Sequence, residues 1–91
     1  MTKPELVNTV AERTGMKKVD VGSMLDAVFE SITDTLGKKE QVSIAGFGVF
    51  DTRTRAARIG RNPRTGERIT IPETTTPVFR AGKRLRSAVA G

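Results

Sequence analysis

The sequence of 91 residues predicts an α+β fold in a single domain. Apolar residues recur at steps of three and four as far as Leu36, a spacing typical of amphipathic helices. From Val42 the pattern changes to alternation, which is typical of strands. A turn-forming segment rich in arginine, 60–66, then separates two runs of strand-forming residues and predicts a long hairpin.

The first helix is predicted from Lys3 to Arg13. Thr2 and Glu5 have the spacing of a capping box, in which each side chain bonds the other residue's backbone N–H. Pro4 falls in the first turn, where a missing N–H costs little. Gly15 follows and favours a left-handed helix end.

The second helix is predicted from Val19 to Leu36, with Gly37 ending it. Its apolar stripe consists of Val21, Met24, Leu25, Val28, Phe29, Ile32 and Leu36. A stripe of this length in so short a chain favours a dimer interface. We interpret Met24 and Phe29 as packing residues rather than as the walls of a ligand pocket.

The strands begin with Val42 and Ile44. Residues 46–48, Gly-Phe-Gly, predict a turn around an anchored aromatic ring. They do not predict a dinucleotide-binding loop, because Asp51 replaces the third glycine and no helical pattern follows. One continuous strand is predicted from Val49 to Ile59, with Arg53 and Arg55 on one face.

After the hairpin, the chain is predicted to return as the strand 67–71. Pro72 and Pro77 are predicted to bracket a break before a short strand, 78–80. Gly82 opens a last helix from Lys83 to Ala90.

Composition argues against several classes of function. The chain has no cysteine and no histidine, so it lacks disulfides, thiolate ligands and the usual neutral-pH acid–base group. No apolar run approaches the ~18 residues of a membrane span, and the N-terminus lacks the apolar segment of a signal peptide. The acidic residues of the second helix, such as Asp26 and Glu30, are spread along its polar face. We therefore expect no enzyme activity, no cofactor, no metal, no small-molecule substrate and no membrane partner.

The positive charge is concentrated in the second half of the chain. Residues 1–50 contain six Lys/Arg and seven Asp/Glu, whereas residues 51–91 contain ten and three. Six arginines lie between positions 53 and 68, and only Glu67 opposes them: Arg53, Arg55, Arg58, Arg61, Arg64 and Arg68. Such density repels itself unless phosphates neutralise it, so we expect a nucleic-acid partner.

The hairpin tip carries Pro63 between two arginines, Arg61 and Arg64. A proline at this place can stiffen the loop, or it can act as an apolar wedge that enters the minor groove and kinks DNA. Asn62 is the main tip side chain suited to contacting a base edge. The spacing of Gly60 and Gly66, without a following Lys-Ser/Thr pair, does not match a P-loop.

Three stretches, GFGVF, GRNPRTGERITI and PVFRAGKRLRSAV, closely resemble the HU family of bacterial histone-like proteins, which includes integration host factor. Insertion of an apolar side chain into the minor groove is the known binding mode of that family. The resemblance implies an intertwined homodimer with a helical base, a three-stranded antiparallel sheet and one β-hairpin DNA-binding arm per protomer. It implies a helical dimerisation region at 1–40, a sheet at 41–80 with the arm at about 53–74, and a C-terminal helix at 82–91.

The resemblance also assigns residues. DNA contacts are expected from the arm arginines, the tip and the basic body residues: Arg53, Arg55, Arg58, Arg61, Asn62, Pro63, Arg64, Arg68, Lys3, Lys18, Lys83 and Arg86. Packing in the core or dimer interface is expected from Phe29, Phe47, Phe50 and Phe79.

The leading hypothesis is a homodimeric architectural protein of the bacterial cytoplasm and nucleoid. It binds double-stranded DNA with little sequence preference, bends it through the minor groove with Pro63 as wedge, and compacts it. Nicked, gapped or pre-bent DNA should bind best, because less bending energy is needed. The alternatives are a sequence-preferring bender similar to integration host factor, and an interaction protein whose arms bind RNA or acidic partners.

Overall fold

The structure, a computed structural model, describes residues 1–91 and has three helices and five strands. The helices are α1 (Lys3–Thr14), α2 (Lys18–Gly37) and α3 (Lys83–Ala90); the strands are β1 (Val42–Ile44), β2 (Gly48–Arg55), β3 (Arg58–Arg61), β4 (Arg68–Ile71) and β5 (Thr74–Ala81). This composition confirms the predicted α+β class. The chain divides into two compact units, Met1–Thr35 and Leu36–Gly91. The assignment of both units to a single domain stays a prediction.

The unit Met1–Thr35 contains α1 and most of α2. The Thr2 hydroxyl accepts a hydrogen bond from the Glu5 N–H at 3.5 Å, which confirms Thr2 as the N-cap. The reciprocal bond of a capping box, from the Thr2 N–H to the Glu5 side chain, is not formed. Gly15 has φ of 74°, and its N–H donates to the Ala11 carbonyl at 2.8 Å, as expected for a left-handed helix end. Only Ala11 and Val21 are buried apolar residues in the chain taken alone. A single copy therefore has almost no core.

The unit Leu36–Gly91 contains a three-stranded antiparallel sheet in the order β1-β2-β5, and a separate two-stranded hairpin, β3-β4. Phe50 on β2 lies opposite Phe79 on β5, and their ring centroids are 4.7 Å apart. Phe47, in the turn before β2, contacts Phe79 with a centroid distance of 5.3 Å. A Cβ at Gly48 would lie 2.6 Å from the Phe79 ring, so the ring occupies the space that the glycine leaves open.

Two predicted strand boundaries are wrong. The strand predicted from Val49 to Ile59 is interrupted at residues 56 and 57, directly across from residues 72 and 73, which also lie outside the strands. Ala56 and Ala57 have low strand preference. Ala56 lies across from Glu73, and Ala57 lies across from Pro72, which cannot donate a hydrogen bond. The break predicted between Pro72 and Pro77 is shorter than expected, because Pro77 lies inside β5. β5 is an edge strand, where a proline can turn its missing donor away from the sheet.

No helix is both long enough and apolar enough to cross a membrane.

Candidate nucleic-acid interface

The strand register divides the side chains of the three-stranded sheet between two faces. Residues directly opposite each other in an antiparallel pair share a face. One face carries the apolar residues Val42, Ile44, Phe50 and Phe79 near its base. The other face carries Arg53 opposite Thr76 and Arg55 opposite Thr74. We call this second set, Arg53, Arg55, Thr74 and Thr76, the cationic face.

The cationic face is concave. A groove of about 270 Å³ is lined by its four residues and by Val78. Its polar walls and open shape suit an extended, charged ligand lying along the strands. The sequence predicted that Arg53 and Arg55 share a face, and the register agrees. It did not single out Thr74 or Thr76, because their position depends on which residue of β5 pairs with which residue of β2.

An acidic residue on the same side of the sheet is neutralised. Asp51 lies opposite Val78, and its carboxylate accepts a hydrogen bond from Arg80 Nη1 at 3.2 Å. The other carboxylate oxygen accepts from the Thr52 N–H at 2.8 Å. Asp51 is thereby held beside Arg80, and its negative charge is compensated next to the groove.

The base of the arm is formed by the ends of β2 and β5, where β2 carries Arg53 and Arg55. Its outer part is the hairpin of β3 and β4. Its register places Arg61 directly opposite Arg68, just before the tip. Like charges directly opposite one another destabilise a strand pair, so this position favours an anion that binds both. Gly60 lies opposite Ile69, and a Cβ at Gly60 would come within 2.8 Å of Ile71 Cδ1. The glycine therefore leaves room for an isoleucine side chain to lie across β3.

The tip is an ordered turn. The Asn62 N–H donates to the Glu67 carbonyl at 2.9 Å, and the Gly66 N–H donates to the Asn62 carbonyl at 2.7 Å. Gly66 has φ of 71°, a left-handed conformation that glycine adopts at no steric cost. The Glu67 N–H donates to the Thr65 hydroxyl at 3.3 Å and closes the turn. Pro63 is exposed within this turn.

The Asn62 side chain stabilises the turn at the tip. Its side-chain oxygen accepts a hydrogen bond from the Arg64 N–H at 2.9 Å. Paired recognition of adenine requires both the oxygen and the amide nitrogen of an asparagine. Because the side-chain oxygen of Asn62 is hydrogen-bonded within the turn, the amide nitrogen is the group available to bind a ligand.

The six arm arginines are exposed, and none of them forms an ion pair. The two ion pairs of the chain are Arg80 with Asp51 and Lys3 with Asp26. The positive charge of the arm is consequently free to bind an external anion.

The other predicted contact residues lie on helices. Lys3 is on α1 and Lys18 begins α2, whereas Lys83 and Arg86 belong to α3 in the same unit as the arm. All four are exposed. Lys3 forms an ion pair with Asp26, which reduces the net attraction of Lys3 for phosphate. The role of each of these residues, and of the arm residues, stays a prediction.

Three of the four predicted packing phenylalanines remain about half exposed in the single chain. The exposed fractions are 44% for Phe29, 43% for Phe47 and 41% for Phe79. Their packing against a second copy stays a prediction.

A family model described as bacterial DNA-binding protein matches residues 1–90. This chain belongs to the HU family of bacterial DNA-binding proteins. DNA-binding protein HU of Staphylococcus aureus is 53% identical over 89 residues, which cover 98% of this chain and 99% of the relative. The HU protein of Geobacillus stearothermophilus is 52% identical over the same shares of the two chains. HU proteins are architectural and not enzymes, so the expectation of a non-enzymatic family is confirmed.

Solved structures of the HU family agree with the fold. Anabaena HU in a cocrystal with DNA matches with a TM-score of 0.86 and 43% identity, covering 99% of this chain and 98% of that one. HU from Thermotoga maritima matches with a TM-score of 0.70 and 35% identity, covering 98% of each chain. Together they confirm the HU fold of helices, antiparallel sheet and extended hairpin.

Proposed function

We propose that this chain is an architectural protein that binds double-stranded DNA with little sequence preference, bends it and helps to compact the bacterial nucleoid. The observation that carries the proposal is the set of six exposed arm arginines without a single acidic partner. Arginine suits phosphate because its planar fork binds two oxygens at once. Membership of the HU family and the cocrystal of Anabaena HU with DNA support the same partner.

Bending is assigned to the arm. Its ordered tip presents the rigid ring of Pro63 to solvent, with arginines on either side. Insertion of such a ring between base pairs costs a few kcal/mol of stacking, which phosphate contacts along the bent duplex offset. Nicked, gapped or pre-bent DNA should therefore bind more tightly than an intact straight duplex.

Low sequence preference follows from the kind of side chains available. The arm offers guanidinium groups and a proline, and the Asn62 oxygen is occupied within the turn. Contacts to phosphate and sugar fix position but carry no sequence information. This favours a general DNA-bending role over a sequence-preferring role similar to integration host factor.

We further propose that the active form is a homodimer. Alone, α2 leaves Met24 46%, Val28 48% and Phe29 44% exposed, along the stripe that the sequence predicts as a dimer interface. Exposure of this much apolar surface on one helix favours burial against a second copy. Sedimentation at several protein concentrations should give a dimer; a monomer at all concentrations would contradict this part of the proposal.

The decisive experiment is a mobility-shift comparison of intact, nicked and pre-bent duplexes at several salt concentrations. We expect affinity to rise in that order and to fall steeply with salt. Competition with RNA and with an acidic polypeptide tests the alternative that the chain is an interaction protein. A comparison of affinities for duplexes of random and of defined sequence separates a general DNA-bending protein from a sequence-preferring one. Equal affinity for all competitors, or a flat salt response, would contradict the proposed function.

A further inference from the structure

We propose that the amide nitrogen of Asn62 contacts the floor of the minor groove and discriminates against the exocyclic N2 amine of guanine. This inference rests on the proposed function, in which the arm tip enters the minor groove. It adds a coarse preference for base composition at the point of insertion. The order of the bases is left unread, so the preference is compatible with binding at many sites.

The first argument is the orientation of the Asn62 side chain. Its oxygen accepts a hydrogen bond from the Arg64 N–H at 2.9 Å. A backbone N–H can only donate, so the atom that faces it must be the oxygen and not the amide nitrogen. The Asn62 backbone is held as well, because its N–H donates to the Glu67 carbonyl and its carbonyl accepts from the Gly66 N–H. The turn therefore leaves an NH2 group, with two donor hydrogens, as the free end of the side chain.

The second argument is that the neighbouring groups of the tip are donors too. Arg61 and Arg64 are exposed, form no ion pair and have only N–H donors. The Thr65 hydroxyl accepts from the Glu67 N–H at 3.3 Å, which leaves its proton free to donate. Glu67 carries the one carboxylate of the turn, and the negative potential of a narrow minor groove disfavours its entry. The tip thus presents donors to the groove that it enters.

The third argument is the pattern of groups on the groove floor. A·T pairs present only acceptors there, adenine N3 and thymine O2, whichever strand carries the adenine. G·C pairs add the N2 amine of guanine, which is a donor. The Asn62 amide forms a hydrogen bond when it meets an acceptor, but it is left unpaired when it meets the amine, and an unpaired polar group in a dry contact costs affinity. Asn62 therefore separates A·T from G·C pairs but does not separate A·T from T·A.

The position of Asn62 places this contact beside the proposed wedge. Pro63 follows Asn62 directly in the chain and is exposed within the turn. The base pairs next to an inserted proline ring are therefore the ones that the amide nitrogen can reach. Some A·T-containing steps are also easily kinked, so the test has to separate a hydrogen-bond contact from DNA flexibility.

The test compares duplexes of one sequence that differ only in the N2 amine. Replacement of deoxyguanosine by deoxyinosine removes the amine, and replacement of adenine by 2,6-diaminopurine adds it. We expect the protein to bind the inosine duplex about fivefold more tightly than the guanine duplex in fluorescence-anisotropy titrations, as one modest hydrogen bond implies. The diaminopurine duplex should bind more weakly than the adenine duplex for the same reason.

Two variants separate the Asn62 contact from any effect of the amine on the DNA itself. Asn62→Asp/Glu67→Gln leaves the net charge of the tip unchanged and keeps a side-chain oxygen for the Arg64 N–H, because aspartate forms the same kind of turn. The second carboxylate oxygen is an acceptor, so the preference for inosine should disappear or reverse. Glu67→Gln alone is the matched control and should keep the preference, because the Asn62 amide is intact.

The outcomes for this contact and for the proposed function are distinguishable. Equal affinity of the unmodified protein for the inosine and guanine duplexes would refute the Asn62 contact, and so would an unchanged preference in Asn62→Asp/Glu67→Gln or a lost preference in Glu67→Gln. The proposed function would still stand if binding remained steeply dependent on salt and stronger for nicked DNA. Absent or salt-independent binding by the unmodified protein would overturn both proposals.

Discussion

Removal of charge from the cationic face should change the salt dependence of DNA binding by a calculable amount. Arg53 and Arg55 are exposed and have no ion-pair partner, so each is free to neutralise one phosphate. Each neutralised phosphate contributes about −0.9 to the slope of log affinity against log salt. In Arg53→Gln/Arg55→Gln the slope should therefore be shallower by about 1.8 per chain, and by about 3.6 in a dimer with both faces engaged.

The size of this effect is large enough to measure. The same slope difference gives the size of the effect on affinity. When the salt concentration rises fourfold, the affinity of the unmodified protein for DNA should fall about twelvefold more than that of the double variant, for each engaged chain. Fluorescence-anisotropy titrations of a labelled nicked duplex over a series of salt concentrations measure both slopes directly.

A charge-balanced variant provides the control. Asp51→Asn/Arg80→Gln removes one negative and one positive charge that already neutralise each other. Its net charge is unchanged, so its slope should match that of the unmodified protein. An unchanged slope in Arg53→Gln/Arg55→Gln would refute the conclusion that this face binds phosphate. An equal decrease of the slope in both double variants would show that the effect comes from a general disturbance of the sheet.

Four other substitutions test separate parts of the structure. Pro63→Ala should reduce the DNA bend angle more than it reduces affinity, as measured by energy transfer between the ends of a labelled duplex; an unchanged angle would argue against the wedge. Gly48→Ala should destabilise the fold by about 1–3 kcal/mol in denaturant unfolding, because the added methyl would lie 2.5 Å from the Arg80 carbonyl. Gly22→Ala, with open space around it, should instead stabilise α2, and a similar loss in both variants would contradict the steric argument. Thr2→Ala should cost about 0.5–1 kcal/mol, the low end for an N-cap, because its hydrogen bond is long at 3.5 Å; no change in melting temperature would show that the cap contributes nothing.

Helix boundaries were predicted well because their signals are local. The Thr2 cap, the Gly15 helix end and the start of α3 after Gly82 each depend on neighbouring residues alone. The arginine cluster and the turn residues of the tip were also visible, since charge density and turn chemistry need no tertiary contact.

The errors occurred where strand pairing decided the structure. The interruption at residues 56 and 57 is matched by residues 72 and 73 on the other strand, a relation that the sequence does not reveal. Pro77 was interpreted as a strand breaker, but its strand lies at the edge of the sheet, where a missing donor is tolerated. The edge position is a property of the whole sheet and not of the residues around Pro77.

The sequence by itself determined the α+β class, the charge of the arm and the chemistry of its tip, because periodicity, composition and turn preference are properties of neighbouring residues. The tertiary structure alone decided which side chains share a face. Thr74 and Thr76 lie beside the arginines, and Thr75 lies on the other side, only because β5 pairs with β2 in one particular register. A shift of one residue would reverse every side chain of the strand, since successive residues of a strand point to opposite faces.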